Sequence, residues 1–228
     1  MGPATVNREL SCLRTIFNKA IEWGKVEQNP VKKIKFYKEN NKRVRYLEPD
    51  EVHRLVQECP DHLTPIVTVA IHTGMRLGEI LNLKWQDIDL KRRLIYIVDS
   101  KSKEGRELPM NFVVSNTLSQ CQEAAHGDYV FSHPDGSPYR KIYRGFKAAC
   151  RRAGIKNFRF HDLRHTFASY LVMNGQDLKT VQELLGHKSF EMTLRYAHLS
   201  PDHKRKAVDD LGSRMQKVVT IWSQRNNS

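Results

Sequence analysis

The chain has 228 residues with 39% hydrophobic composition spread along its length, enough for a packed core and one substantial domain with a small appendage. Its 38 Lys+Arg against 25 Asp+Glu leave a formal net charge of +13, which favours a polyanionic partner, because basic side chains that neutralise phosphates release condensed counterions. No apolar run approaches the roughly 18–20 residues a membrane span requires, the start Met1-Gly2-Pro3-Ala4-Thr5 has no secretory pattern, and Cys12, Cys59, Cys121 and Cys150 form no CxxC pair, so a soluble, intracellular protein with reduced thiols is expected.

The first predicted element is a helix over Val6 to Trp23, with Leu10, Leu13, Ile16, Phe17, Ala20 and Ile21 at helical spacing. Gly24 punctuates it and Asn29-Pro30 marks a second stop, after which residues 32–43 are basic, polar and linker-like. A single apolar helix cannot bury its own face, so residues 1–45 read as the end of a larger domain and residues 46–228 as the main domain.

From Tyr46 the pattern is denser. Glu48-Pro49-Asp50-Glu51 opens a helix carrying Val52, Leu55 and Val56, and a buried helix from Thr64 breaks at Thr73-Gly74. Leu94 to Val98 and Arg106 to Met110 flank Ser102-Lys103-Glu104-Gly105 as a β-hairpin. Further helices are predicted at 115–125, 139–153, 161–174, 177–185, 189–197 and 201–215. The fold class is mainly α with a small antiparallel β-sheet.

Several segments bear groups suited to phosphate chemistry. In His72-Thr73-Gly74-Met75-Arg76-Leu77-Gly78-Glu79 a new helix starts at Arg76, where free N–H groups and a guanidinium fork would both suit an anion; a surface pair between Arg76 and Glu79 is the alternative. In His161-Asp162-Leu163-Arg164-His165-Thr166, His161 and Arg164 share a helical face and could converge on a phosphoryl transition state. His161 and His165 also have metal-ligand spacing, but no third ligand stands nearby, and His165 fits a hydrogen-bonded core histidine. Leu184-Leu185-Gly186-His187 puts His187 in a bend between helices, and Thr193-Leu194-Arg195-Tyr196 puts a phenol on the next one, where a tyrosine is ordinarily a packing residue. A phenol attacks only where cations stabilise its anion, and Arg76, Arg164 and His187 would supply that field. Lys101, on the hairpin shoulder, is either a solvated lysine or a general acid reaching into a groove.

Taken in order, HTGMRLGEI, a hairpin lysine before RELP, HDLRHT, LGHKS and TLRYAH resemble the tyrosine recombinase (phage integrase) family from about Tyr46 to Leu211, and residues 5–36 look like the tail of that family's core-binding domain. The resemblance implies a DNA strand-breaking and rejoining enzyme that is metal- and ATP-independent and uses no cofactor. It assigns Arg76 and Arg164 to the scissile phosphate, His161 and His187 to hydrogen bonding and proton handling, and Lys101, or else Lys103, to the general acid. Glu79 and His165 become supporting residues and Tyr196 the nucleophile. It further implies double-stranded DNA as partner, a homotetramer in the synaptic complex resolving a Holliday junction, and accessory directionality or bending proteins. No membrane association is implied, and the setting is the cytoplasm and nucleoid of a bacterial or phage-encoded mobile-element system. Ala207, Val208, Leu211, Met215 and Val218 form an apolar stripe where relatives dock on a neighbouring protomer. A type IB topoisomerase, a non-catalytic DNA-binding protein with a silent site and a metal-dependent nuclease are the alternatives.

Overall fold

The computed structural model describes residues 1–39, 45–98, 105–200, 208–213 and 215. The chain divides into two compact units, Met1–Arg43 and Val44–Ser228. Lys101 and Lys103 of the predicted hairpin turn, and Ala207 and Val218 of the C-terminal stripe, lie outside the described residues.

In the first unit, helix α1 spans Pro3–Glu22, started by Pro3 and stopped before Gly24, whose positive φ ends the turn. Leu13, Ile16 and Trp23 on it are exposed. The stretch after Asn29-Pro30, linker-like by composition, is tied to α1 by polar groups. Asn7 Nδ2 donates to the Tyr37 carbonyl at 2.8 Å while Asn7 Oδ1 accepts from the Tyr37 N–H at 2.8 Å, and Arg14 donates to the carbonyls of Val31 and Ile34.

The second unit contains α2 (Pro49–Gln57), α3 (Thr64–Thr73), α4 (Leu77–Leu81), strands β1 (Ile88–Asp89), β2 (Leu94–Val98) and β3 (Gly105–Pro109), then α5 (Phe112–Glu123), α6 (Tyr143–Arg152), α7 (Asp162–Met173) and α8 (Leu178–Leu185). The strands form one antiparallel sheet in the order β1-β2-β3, with Ile95 opposite Leu108. Mainly helical architecture around a small sheet agrees with the sequence pattern. One element differs: the segment predicted as a helix over 189–197 is two 3-10 pieces, Phe190–Met192 and Leu194–Leu199. Thr193 and Tyr196 are both buried there, and the tighter 3-10 winding brings positions three apart onto one inward face.

Helix α3 is the central element. It is apolar nearly all round, buries Ile66, Val67, Val69 and Ala70, and packs against α5 on one side and α7 on the other. Leu55, Leu63, Ile95, Leu108, Leu118 and Leu163 complete the principal core, while Ala168, Val172, Val181, Leu185 and Tyr196 make a smaller cluster where α7, α8 and the last 3-10 helix meet. Gly74 terminates α3 in a left-handed conformation, and a Cβ there would lie 2.4 Å from the Phe167 ring of α7. Only glycine satisfies both the φ value and the clearance. Among the described residues no helix is long and apolar enough to cross a membrane.

The start of this unit is sewn to α7 by one residue, Leu47. The Leu47 N–H donates to Thr166 Oγ1 at 3.1 Å, Thr166 Oγ1 donates to the Asp162 carbonyl at 3.0 Å, and Tyr170 Oη donates to the Leu47 carbonyl at 3.1 Å. Leu47 and Thr166 are fully buried. Thr166→Val, of nearly unchanged volume, leaves the Leu47 donor unsatisfied and is expected to destabilise the protein by about 1–3 kcal/mol, read as a shift in the urea unfolding curve.

Candidate active site

The site gathers where α3 ends and α8 ends, and two glycines shape it. Gly186 closes α8 with φ 62°, as Gly74 closes α3 with φ 63°. Helix ends leave carbonyls without intrahelical partners, and here these face α7. Arg164, one turn into α7 and 3% exposed, reaches between them: Nη1 donates to the Gly74 carbonyl at 2.7 Å and Nη2 to the Leu185 carbonyl. Burial, reinforced by the nearby Arg76 charge, brings Arg164 down to about 10, which still leaves it protonated at neutral pH.

Arg76 stands two residues beyond Gly74 as the N-cap of α4, with its side chain 43% exposed. Nη2 donates to the Gly186 carbonyl at 3.3 Å, next along the chain from the carbonyl held by Arg164. The two guanidiniums therefore lie side by side. The anion expected at the start of α4 is internal: Glu79 Oε2 accepts from the Arg76 N–H at 2.9 Å and Oε1 from Arg76 Nη1 at 2.8 Å. The pair with Glu79 weighed from the sequence forms, and the side chain remains partly at the surface.

Sequence reasoning passed over Arg106. From β3 it clamps Glu79 with both terminal nitrogens, Nη1 to Oε1 at 3.1 Å and Nη2 to Oε2 at 2.8 Å. Its signal in the sequence was an arginine on an otherwise half-buried hairpin strand. Burial pushes the Glu79 carboxyl up, but its bonds to Arg106 and Arg76 outweigh that and hold it below the ordinary carboxylate range.

The histidines line the other side. His187 follows Gly186 and engages the fully buried Thr193 hydroxyl through Nδ1 at 2.9 Å. Burial, with Arg164, Arg76 and Arg195 adding repulsion, brings it down to about 4, so its ring is neutral at pH 7. His161 caps α7 and meets His165 edge to face, ring centroids 5.3 Å apart; partial desolvation and the Arg164 charge lower it as well.

Tyr196 is 1% exposed, and its hydroxyl lies 2.5 Å from His165 Nδ1. Burial brings His165 down to about 4, so the imidazole is neutral and accepts while the phenol donates. Burial also raises Tyr196 to about 12, against the opposing pull of Arg195 and Arg164. The structure thus brings Arg76, Glu79, His161, Arg164, His165, His187 and Tyr196 into one neighbourhood, while Lys101 falls outside the described residues.

Residues 45–203 match the Phage integrase family, and the chain belongs to that family. It is 39% identical to the integrase of Salmonella phage P22, covering 98% of this chain and 61% of that protein, and 32% identical to the integrase of Haemophilus phage HP1, covering 90% and 59%. The chain therefore spans about three fifths of the length of these relatives. Among solved structures it resembles the catalytic domain of the HP1 integrase (TM-score 0.60, 30% identity, covering 73% of this chain and 95% of that one). It also resembles a lambda integrase dimer bound to a COC' core site (TM-score 0.71, 27% identity, covering 83% and 74%).

The depressed histidines carry a pH signature. A group whose folded pKa lies below its unfolded value binds fewer protons when folded, so stability is lost as pH falls from the unfolded value near 6.5 toward the folded value near 4. His165→Asn is expected to lose about 1–3 kcal/mol at pH 7.5 through the broken bond to Tyr196, and to flatten the loss of stability between pH 6.5 and 4.5 by up to about 1.4 kcal/mol per pH unit. Urea unfolding curves across that range read both effects.

Proposed function

We propose that the chain carries the strand-cleaving and rejoining chemistry of a site-specific DNA recombinase, working through a 3'-phosphotyrosine bond made by Tyr196. The observation that carries this reading is the adjacency of two guanidiniums, Arg76 and Arg164, on neighbouring carbonyls of one helix end, with Arg164 within electrostatic reach of the Tyr196 phenol. A pentavalent phosphoryl transition state spreads charge over its non-bridging oxygens, and fixed cations stabilise it without reorganising at the moment of reaction.

On this reading Tyr196 Oη forms the bond to phosphorus and the P–O5' bond breaks, leaving a 3'-phosphotyrosyl link and a free 5'-hydroxyl. Arg76 and Arg164 hold the non-bridging oxygens, and His161 and His187 hydrogen-bond the phosphate, one of them taking the phenolic proton as Oη bonds to phosphorus. Lys101 gives its proton to the departing 5'-oxygen. Attack by a partner strand's 5'-hydroxyl reverses the step, so no external energy source enters. Glu79 supports Arg76, and His165 holds the phenol between reactions.

The resting phenol is not the attacking species. Burial holds the Tyr196 phenol up and the His165 imidazole down, so the proton stays on the phenolic oxygen. Release from the small core cluster removes the burial that raises Tyr196 and brings the oxygen toward the arginines. Docked DNA supplies the phosphate for which the site is cationic. Residues 1–45 fit the end of a core-binding domain, with the exposed apolar side chains of α1 as its unpartnered face. The assembled recombinase acts as a tetramer on double-stranded DNA.

Incubation with supercoiled plasmid in EDTA, followed by a detergent quench, is expected to give relaxed DNA and a DNA-linked protein band. Tyr196→Phe is expected to lose both products while its gel shift at moderate salt is retained. Binding by wild type without any covalent band, in a longer chain that includes the preceding domain, would leave a silent DNA-binding fold as the better reading.

A further inference from the structure

Arg76 has two side-chain partners among the described residues, the Glu79 carboxylate and the Gly186 carbonyl, and Arg106 touches both. It clamps Glu79 with its two terminal nitrogens. It also lies flat beneath the turn at Gly186, where a Cβ would sit 2.8 Å from its Nη1 and 3.0 Å from its Cζ. The side chain is only 18% exposed, and its Nε is buried with no hydrogen-bond partner among the described residues. Each terminal nitrogen spends an N–H on the carboxylate and Nε is shut away, so Arg106 is turned toward Glu79.

Electrostatics gives this geometry a purpose. Glu79 alone against Arg76 would be a closed ion pair with no net charge, and the guanidinium would be spent on the carboxylate instead of on DNA. A second guanidinium on the same carboxylate takes up that charge with two-pronged geometry, the arrangement in which arginine and carboxylate bind best. Arg76 then keeps its backbone cap and its orientation from Glu79 while its positive charge is left for an anion. Arg106 also comes from β3, the strand that leads out of the hairpin bearing Lys101, so the same clamp ties the hairpin to the arginine site.

We infer that Arg106 is a positioning residue for strand cleavage, acting through Glu79 and the Gly186 turn to hold Arg76 aimed at the scissile phosphate, with the charge of Glu79 shared between two guanidiniums instead of falling on Arg76 alone. The inference rests on the reading under Proposed function. It separates from a merely structural role because removing Glu79's charge should repair the loss of Arg106.

The experiment is the initial rate of plasmid relaxation in EDTA for wild type, Arg106→Gln, Glu79→Gln and the double variant, each checked for folding by circular dichroism. Arg106→Gln is expected to slow relaxation at least 10-fold, because the whole Glu79 charge then falls on Arg76. Adding Glu79→Gln, which keeps the cap but removes the competing charge, is expected to recover several-fold of that loss. Should Arg106→Gln fail to fold, Arg106→Met, which retains the stem against Gly186, carries the same comparison. Relaxation by Arg106→Gln at the wild-type rate, or a double variant no faster than Arg106→Gln, overturns the inference and leaves the recombinase reading standing. A wild-type protein that relaxes nothing overturns both.

Discussion

A buried guanidinium bound to two helix-end carbonyls holds this molecule's site together. Arg164 is nearly inaccessible to water, and an isolated charge so placed would be strongly unfavourable. The carbonyls of Gly74 and Leu185 make it tolerable, since each ends a helix and has no partner further along. The dependence runs both ways. Arg164 satisfies acceptors that would otherwise be buried unpaired, and by doing so fixes the ends of α3 and α8 against α7. The left-handed residues at 74 and 186 follow from this, because the chain must turn abruptly after each carbonyl is presented. At Gly74 the clearance to Phe167 leaves no room for a side chain at all.

Once those ends are pinned, the remaining charges follow. Arg76 hangs from the peptide next to the one Arg164 holds, and Arg106 backs it through Glu79. The positive field of the site shows in the histidines: His161, His165 and His187 are all held below their ordinary values by burial first, with Arg164 and Arg195 adding to the effect at each and His161 adding to it at His165. Packing at the helix ends holds this unbalanced positive field in place, and an anion would relieve it. Fields maintained against their own repulsion are a mark of functional sites, since structural ion pairs tend to close.

Much of this was legible along the chain, and the illegible parts share a cause. Glycines at 74 and 186, the charged cap of α2, and His161 and Arg164 one turn apart are local patterns with local physics, and they appear where the spacing puts them. Arg106 was missed because its meaning lies in a contact with Glu79, 27 residues away, that no periodicity encodes. At α4's N-terminus an external anion and a pair between Arg76 and Glu79 were both open from the sequence, and in the structure the Glu79 carboxylate takes the Arg76 N–H as well as its side chain. The helix predicted over 189–197 is two 3-10 pieces, with Thr193 and Tyr196 buried, a tertiary arrangement that the local spacing does not encode. Residues 32–39 look like a linker by composition, yet Asn7 anchors them, and a single polar side chain inside an apolar stripe is easily read as noise.

Tyr196 shows most clearly what folding adds to a motif. In sequence it is a phenol near basic residues; in the structure it is also a core residue, packed with Ala168, Val172, Val181 and Leu185 and bonded to His165. Burying an aromatic side chain contributes about 2–3 kcal/mol and a hydrogen bond about 1 more, so drawing the phenol out requires roughly 3–4 kcal/mol from elsewhere. That corresponds to a population on the order of one molecule in several hundred with the hydroxyl free. The element that bears it is suited to so modest a barrier, since 3-10 hydrogen bonds are poorer than α-helical ones and the neighbouring Phe190, Met192 and Leu194 are already exposed. A handful of phosphate contacts could supply that energy, while thermal motion alone rarely would. On the recombinase reading, a protein that must not cut DNA at random therefore gains restraint from the packing that gives this end of the fold its stability.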